Sequence, residues 1–305
     1  MELLIKLLLS DTGKEPCTIV VAAAADFPVL KAIQQAYNHK LIIPILVGDS
    51  AKIKKMCNDI AFDCSPFEII DEPDPQKAVQ ISVELVHEKK ADILMKGLVT
   101  TAILLKAVVK KEGRYHPNHV MSHFALLESK YYHKLFVITD AAMNISPTLE
   151  EKAEIIRNAV RTMHLLGNAC PKVAVVTPLE FLNEKIESTV HAVKLTQMNR
   201  DHLLNGCIIQ GPLALDNAIS KDAADHKSIK GDVAGDADIL LVHDLNTGNV
   251  LYKSLVFLGG ALSAGVIVGT KVPIVLTSRA DSGLCKLLSI ALATKLKDYT
   301  SSEEQ

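Results

Sequence analysis

No two cysteines of this 305-residue chain are spaced C-x-x-C. The six, at positions 17, 57, 64, 170, 207 and 285, therefore signal neither a zinc ribbon nor a thioredoxin-type site. Reduced thiols in a cytoplasmic protein are the expectation. A basic excess is lacking too: 33 Lys and Arg stand against 35 Asp and Glu, a formal net charge of −2. That balance argues against nucleic acid as the main partner, while a small anion needs only a local basic pocket. Long apolar runs are also missing. Residues 1–9 are apolar, but they carry Glu2 and no small-residue cleavage site, so a signal peptide is not expected. The run from Leu255 to Gly269 is broken by Gly259, Gly260 and Gly265. It falls short of the roughly 20 residues of a membrane span, so no membrane partner is expected.

Nucleotide and hydrolase fingerprints are absent as well. Gly265 to Lys271 has the wrong spacing for a P-loop, and no G-x-G-x-x-G follows a strand pattern. No G-x-S-x-G elbow occurs. His119 and His123 are spaced i, i+4, which would place both on one helical face, but no H-E-x-x-H pattern and no third ligand accompany them. No metal is expected.

What is present is alternation. Short β-branched runs at Thr18–Val21, Ile42–Val47, Phe67–Ile70, Asp92–Met95 and Leu135–Ile138 are interleaved with amphipathic segments such as 27–38 and 75–90. In the second half, Ser146-Pro147 reads as an N-cap and first helical residue. Ile156, Ala159, Val160 and Met163 then recur at helical spacing up to Gly167. Strands are expected at Val173–Thr177, Ile208–Gln210, Ile239–Val242 and Val272–Thr277. Such alternation implies parallel strands joined by right-handed crossovers, hence a layered α/β fold.

In that architecture ligands bind beyond the carboxyl ends of strands. Two loops fit. The first runs from Ile93 through Lys96, Gly97, Thr100 and Thr101 into a helix whose free N–H groups suit an anion; the alternative is that a threonine only caps the helix and Lys96 is solvated. The second runs from the strand Val272–Leu276 through Thr277, Ser278, Arg279 and Asp281 into a helix with Leu284, Leu287, Leu288 and Ala291 on one face. A guanidinium fork, a hydroxyl and a helix N-terminus suit phosphate oxygens; the alternative is a surface pair between Arg279 and Asp281.

Five ordered segments, Met95–Thr101, Thr139–Asn144, Gln210–Asp216, Leu245–Lys253 and Thr277–Ser282, together resemble the phosphate acetyl/butyryltransferase family, most closely its butyryl branch. The resemblance covers nearly the whole chain. It implies a three-layer α/β/α fold of the isocitrate/isopropylmalate dehydrogenase type with two domains and an interdomain cleft. Residues 1–138 plus 273–305 would form the discontinuous first domain and 139–272 the second. It also implies a homodimer or higher homo-oligomer, and reversible transfer of a short acyl group from coenzyme A, a substrate and not a cofactor, to inorganic phosphate. By motif, Ser278 and Arg279 would hold the phosphoryl group, with Lys96, Gly97, Thr100, Thr101, Asp140 and Asn144 lining the substrate. The chain departs from the acetyl branch in one respect: Cys285 stands where an acid is proposed to deprotonate the thiol, and Asp281 is the nearest carboxylate.

Other readings stay open at this stage. They are a phosphate acetyltransferase, a fatty acyl-phosphate synthase acting on acyl carrier protein, and a non-catalytic acyl-CoA-binding protein. A metal-dependent dehydrogenase of the same fold would have to recruit Asp232, Asp236 and Asp238 as ligands.

Overall fold

Most of the expected β-branched runs become strands buried on both faces, as parallel strands covered by helices require; the strand at 68–71 is exposed or half-buried throughout. The computed structural model describes residues 2–9, 15–112, 120–277 and 280–297. After helix α1 (Leu3–Leu9), the chain alternates through β1 (Cys17–Ala22), α2 (Phe27–Asn38), β2 (Ile42–Gly48), α3 (Ser50–Asp59), β3 (Glu68–Asp71), α4 (Pro75–His87), β4 (Ile93–Lys96) and α5 (Thr101–Glu112). A second alternation follows: β5 (Ser122–Glu128), β6 (Phe136–Thr139), α6 (Leu149–Leu165), β7 (Lys172–Val176), α7 (Glu187–Arg200), β8 (Ile208–Leu213), α8 (Leu215–Ile219), α9 (Lys221–His226), β9 (Ile239–Leu241) and α10 (Leu245–Lys253). A π-helical turn (Ser254–Leu258) leads to β10 (Leu262–Val268), β11 (Ile274–Val275) and α11 (Gly283–Lys295).

Two compact units result, one of residues 4–117 and 264–305, the other of residues 118–263. In the first, the strand order is β3-β2-β1-β4-β11-β10, parallel except for β10 against β11. In the second it is β5-β6-β9-β7-β8, parallel except for β5 against β6. The resemblance implies divisions at 138/139 and 272/273, whereas these units divide at 117/118 and 263/264. β6 pairs with β5 and β9, so it belongs with the residues that follow it.

Local chemistry accounts for the helix starts. Asp26, Asp49 and Asp74 each accept a backbone N–H in the first turn of α2, α3 and α4, the usual role of an N-cap carboxylate. The start of α6 differs from the sequence expectation. Its cap is Thr148, not Ser146, because Thr148 and Glu151 form a reciprocal capping box that the Ser-Pro pair cannot match. Strands β5 and β10 escaped the sequence reading; β5 is buried at all seven positions and offers no alternation to detect. Among the described residues, no helix is long and apolar enough to cross a membrane.

The capping box yields a stability prediction. Thr148→Ala removes the acceptor for the Glu151 N–H and should cost about 1 kcal/mol, read as a lower urea midpoint at unchanged slope. An unaltered midpoint would show that the box does not hold the start of α6.

Candidate functional site

From β1 the chain moves outward to β2 and β3, then returns across β1 to β4. With right-handed crossovers, α2 and α3 therefore cover one face and α4 the other. A crevice opens where the direction reverses, at the carboxyl ends of β1 and β4. Gly97 follows β4 at this point. Its N–H donates to the Ala22 carbonyl at 2.8 Å, and a Cβ built on it would lie 2.2 Å from the Ala23 oxygen. Only glycine allows the two strand ends to approach this closely.

The crevice holds a cavity of about 350 Å³ lined by Asp26, Phe27, Lys96, Leu98, Thr277 and Lys286, among others. Lys96 ends β4 and is 8% exposed; its ammonium donates to the Gly97 and Val99 carbonyls, both at 3.3 Å. Lys286, on α11 and 2% exposed, donates to the Asp281 carbonyl at 2.6 Å. The sequence reading did not single out Lys286. The available signal was one charge inside the apolar run Leu284-Cys285-Lys286-Leu287-Leu288, and only the fold turns it toward a cavity.

Ser278 and Arg279, the residues singled out most strongly, lie outside the described residues, as does His119. Asp281 is described. The cap of α11 is Ser282, whose hydroxyl accepts the Cys285 N–H at 3.1 Å, so the Asp281 carboxylate does not serve as that cap. Cys285 is buried in the first turn. Thr100 is exposed, and its hydroxyl accepts the Ile103 N–H at 3.4 Å, a capping contact for α5. Thr101, partly buried, is the first residue of that helix.

Asp140 and Asn144 belong to the other unit, in the loop after β6. Asp140 is 3% exposed. One oxygen accepts the Ala142 and Met143 N–H groups at 2.8 and 3.0 Å; the other accepts the Asn144 N–H at 3.1 Å and its side-chain amide. That amide also donates to the Met121 carbonyl. The carboxylate thus folds the loop around itself. The adjacent strand β9 delivers α10 against the same loop: a Cβ on Gly248 would lie 2.4 Å from the Asp140 carbonyl, and Asn249 donates to the Ala141 carbonyl. Two of the recognised sequence segments, 139–144 and 245–253, therefore form one packed feature.

Two further segments are accounted for by structure. Gln210 accepts the Val233 N–H and donates to the Lys230 carbonyl, bracing the loop around Gly231. Asp236 and Asp238 are occupied: Lys134 bonds both, and His133 and Lys172 bond Asp236. Burial acts to raise the Asp236 carboxyl, yet hydrogen bonds from Lys172, Lys134 and His133 hold it well below the usual range. Aspartates held by ammonium groups are poor metal ligands, which argues against Asp236 and Asp238, two of the three aspartates that a dehydrogenase-type metal site would recruit.

Comparison with known proteins places these features in context. A family model described as phosphate acetyl/butaryl transferase matches residues 3–80 and 72–294. The chain is 43% identical to a phosphate butyryltransferase of Clostridium acetobutylicum, over 94% of this chain and 96% of that one. It is 46% identical to a probable phosphate butyryltransferase of Bacillus subtilis, over 90% and 92%. Among solved structures, a branched-chain phosphotransacylase from Enterococcus faecalis V583 superposes with a TM-score of 0.81 at 34% identity, covering 92% of this chain and 99% of that one.

The Asp140 cluster makes a testable distinction between bracing and contact. Asp140→Ala leaves three backbone N–H groups and the Asn144 amide without this acceptor, and should cost about 2–3 kcal/mol or more, read by urea denaturation. Asp140→Asn keeps one acceptor oxygen and should recover part of the loss. If Asp140→Asn instead retains full stability and loses activity, Asp140 touches substrate directly.

Proposed function

The chain belongs to the phosphate acetyl/butaryl transferase family and is an acyltransferase handling a short acyl group; we propose that it exchanges butyryl, in preference to acetyl, between coenzyme A and inorganic phosphate. A phosphate oxygen attacks the thioester carbon, a C–O bond forms, and the C–S bond breaks to release the thiolate, which is then protonated. Acyl phosphate and free CoA are the products. The observation that carries the proposal is the pair of buried lysines, Lys96 and Lys286, on one cavity at the strand reversal. Two cations in a low-dielectric crevice suit a phosphate dianion.

In this reading Arg279 is the principal phosphate ligand and the Ser278 hydroxyl a second. Both directly follow Thr277, which lines the cavity. Lys286 fixes the Asp281 carbonyl and so the far end of the same short loop. The two nucleophiles, phosphate oxygen and thiolate, compete for one carbon, so holding both in line supplies much of the rate. Donors aimed at the carbonyl oxygen stabilise the tetrahedral transition state. In the reverse direction a base takes the proton of a thiol with an ordinary pKa near 8.5. Asp281 is the proposed base, since Cys285 stands where the acetyl branch has an acid.

Butyryl is favoured because the two similar curated relatives are named for it. Two additional methylenes at about 0.8 kcal/mol each, if buried, give roughly tenfold discrimination or somewhat more. Phosphate-dependent thiol release should therefore show a higher kcat/KM with butyryl-CoA than with acetyl-CoA, and equal or reversed values would overturn the preference. Replacing Arg279 tests the site itself. Arg279→Ala should lose about 1.5–3 kcal/mol in the phosphate specificity constant. Arg279→Lys should recover only part, because an ammonium cannot make a two-pronged contact. An unchanged phosphate KM and rate in the alanine variant would rule Arg279 out as ligand.

A further inference from the structure

A second cluster of ionisable groups is built from residues not assigned above to acyl transfer. Glu187 and His191 sit at i and i+4 on α7 and so share one face. His243 follows β9, one residue before Asp244, the N-cap of α10. The strand order β9-β7 places the loop carrying His243 beside the one that leads into α7. These are carboxyl ends of adjacent parallel strands, where this architecture exposes ligand-binding loops.

The three side chains converge. One ligand atom from each lies within 4.8 Å of the others. His243 Nε2 is 3.3 Å from a Glu187 oxygen, and the two imidazole centroids are 5.9 Å apart. His243 Nδ1 is buried and has no hydrogen-bond partner. Glu187 is 71% exposed at its side chain, against 25% for His243, so the group opens to solvent on the carboxylate side. From these residues we propose a divalent-cation site, with Glu187, His191 and His243 as its three protein ligands and solvent completing the coordination. Two imidazoles and one carboxylate are a donor set of borderline character, suited to zinc, cobalt(II) or nickel(II) and not to magnesium or calcium, which take oxygen ligands.

Charge supports the assignment. One ammonium opposes a cation directly: Lys152 lies 2.9 Å from His191 Nδ1 and donates to the Pro147 carbonyl at 2.8 Å. It is outnumbered. The carboxylates acting on this cluster are those of Glu150, Glu151, Glu187 and Asp244, against the ammonium groups of Lys152 and Lys194. No carboxylate here is committed to a lysine at close range in the way Asp236 is.

The test is a titration of the full chain, without an affinity tag and freed of metal by chelator, carrying Cys170→Ser to remove the exposed thiol. Cobalt(II) should bind at one equivalent per chain and give visible absorption of a nitrogen- and oxygen-ligated ion, and zinc should displace it. Magnesium should give no saturable signal. His191→Ala and His243→Ala should each weaken binding by at least about tenfold, and Glu187→Gln, at an exposed position, should do the same. His202→Ala, at a histidine outside the cluster, should leave the titration unaltered. No saturable binding up to millimolar cobalt, or unchanged binding in the His191→Ala, His243→Ala double variant, overturns the proposal.

Discussion

The approach of one glycine to a neighbouring strand governs the first unit. With a Cβ at position 97 only 2.2 Å from the Ala23 oxygen, any side chain would force β4 and β1 apart at their carboxyl ends. Those strands pair in register from Ile19 with Ile93 to Ala22 with Lys96, so the separation would spread into the sheet. The same closeness puts Lys96 beside the α2 entrance and leaves the cavity between two short loops. A packing constraint on the backbone and the placement of a charged side chain therefore share one cause.

The second unit reaches a similar end by other means. There a buried carboxylate, Asp140, gathers the N–H groups of its own loop. Gly248 admits α10 against the loop's backbone. Each device fixes a loop at strand carboxyl ends, one through the absence of a side chain and the other through the acceptor capacity of one. Neither depends on long-range charge, which suits a chain whose formal net charge is only −2. Among the described residues, three lysines (Lys96, Lys152 and Lys286) are drawn out of solvent.

Much of this was legible in the residues. Strand–helix alternation and the apolar strand before Thr277 follow from periodicity, which is encoded within a few positions. The misses share a physical reason. β5 is buried throughout and presents neither period 2 nor period 3.6. The α6 start was decided by a reciprocal contact between Thr148 and Glu151, which outcompetes the nearer Ser-Pro signal. Lys286 reads as a lone charge in a helix until α11 is docked. Glu187 and His243 are separated by most of two βα units, and only the β7–β9 pairing makes them neighbours.

Burying lysines is the costliest choice the chain makes, and it is made selectively. Lys96, Lys152 and Lys286 are each less than 10% exposed, although such side chains are almost never fully buried unless partnered. For all three, carbonyl oxygens of a neighbouring loop accept from the ammonium. For Lys152 the penalty of burial appears directly, as burial pushes the ammonium down to about 8. A fold that needed only cohesion would place an apolar chain at these positions and gain stability. Retaining cations there fits the proposed function, in which the cavity takes a phosphate dianion. The same argument separates Lys96 and Lys286 from Lys152: the first two face a cavity, whereas Lys152 faces imidazoles and is surrounded by carboxylates. Identical side chains thus serve opposite fields, and it is the neighbours, not the lysine, that decide which sign of ligand each place can hold.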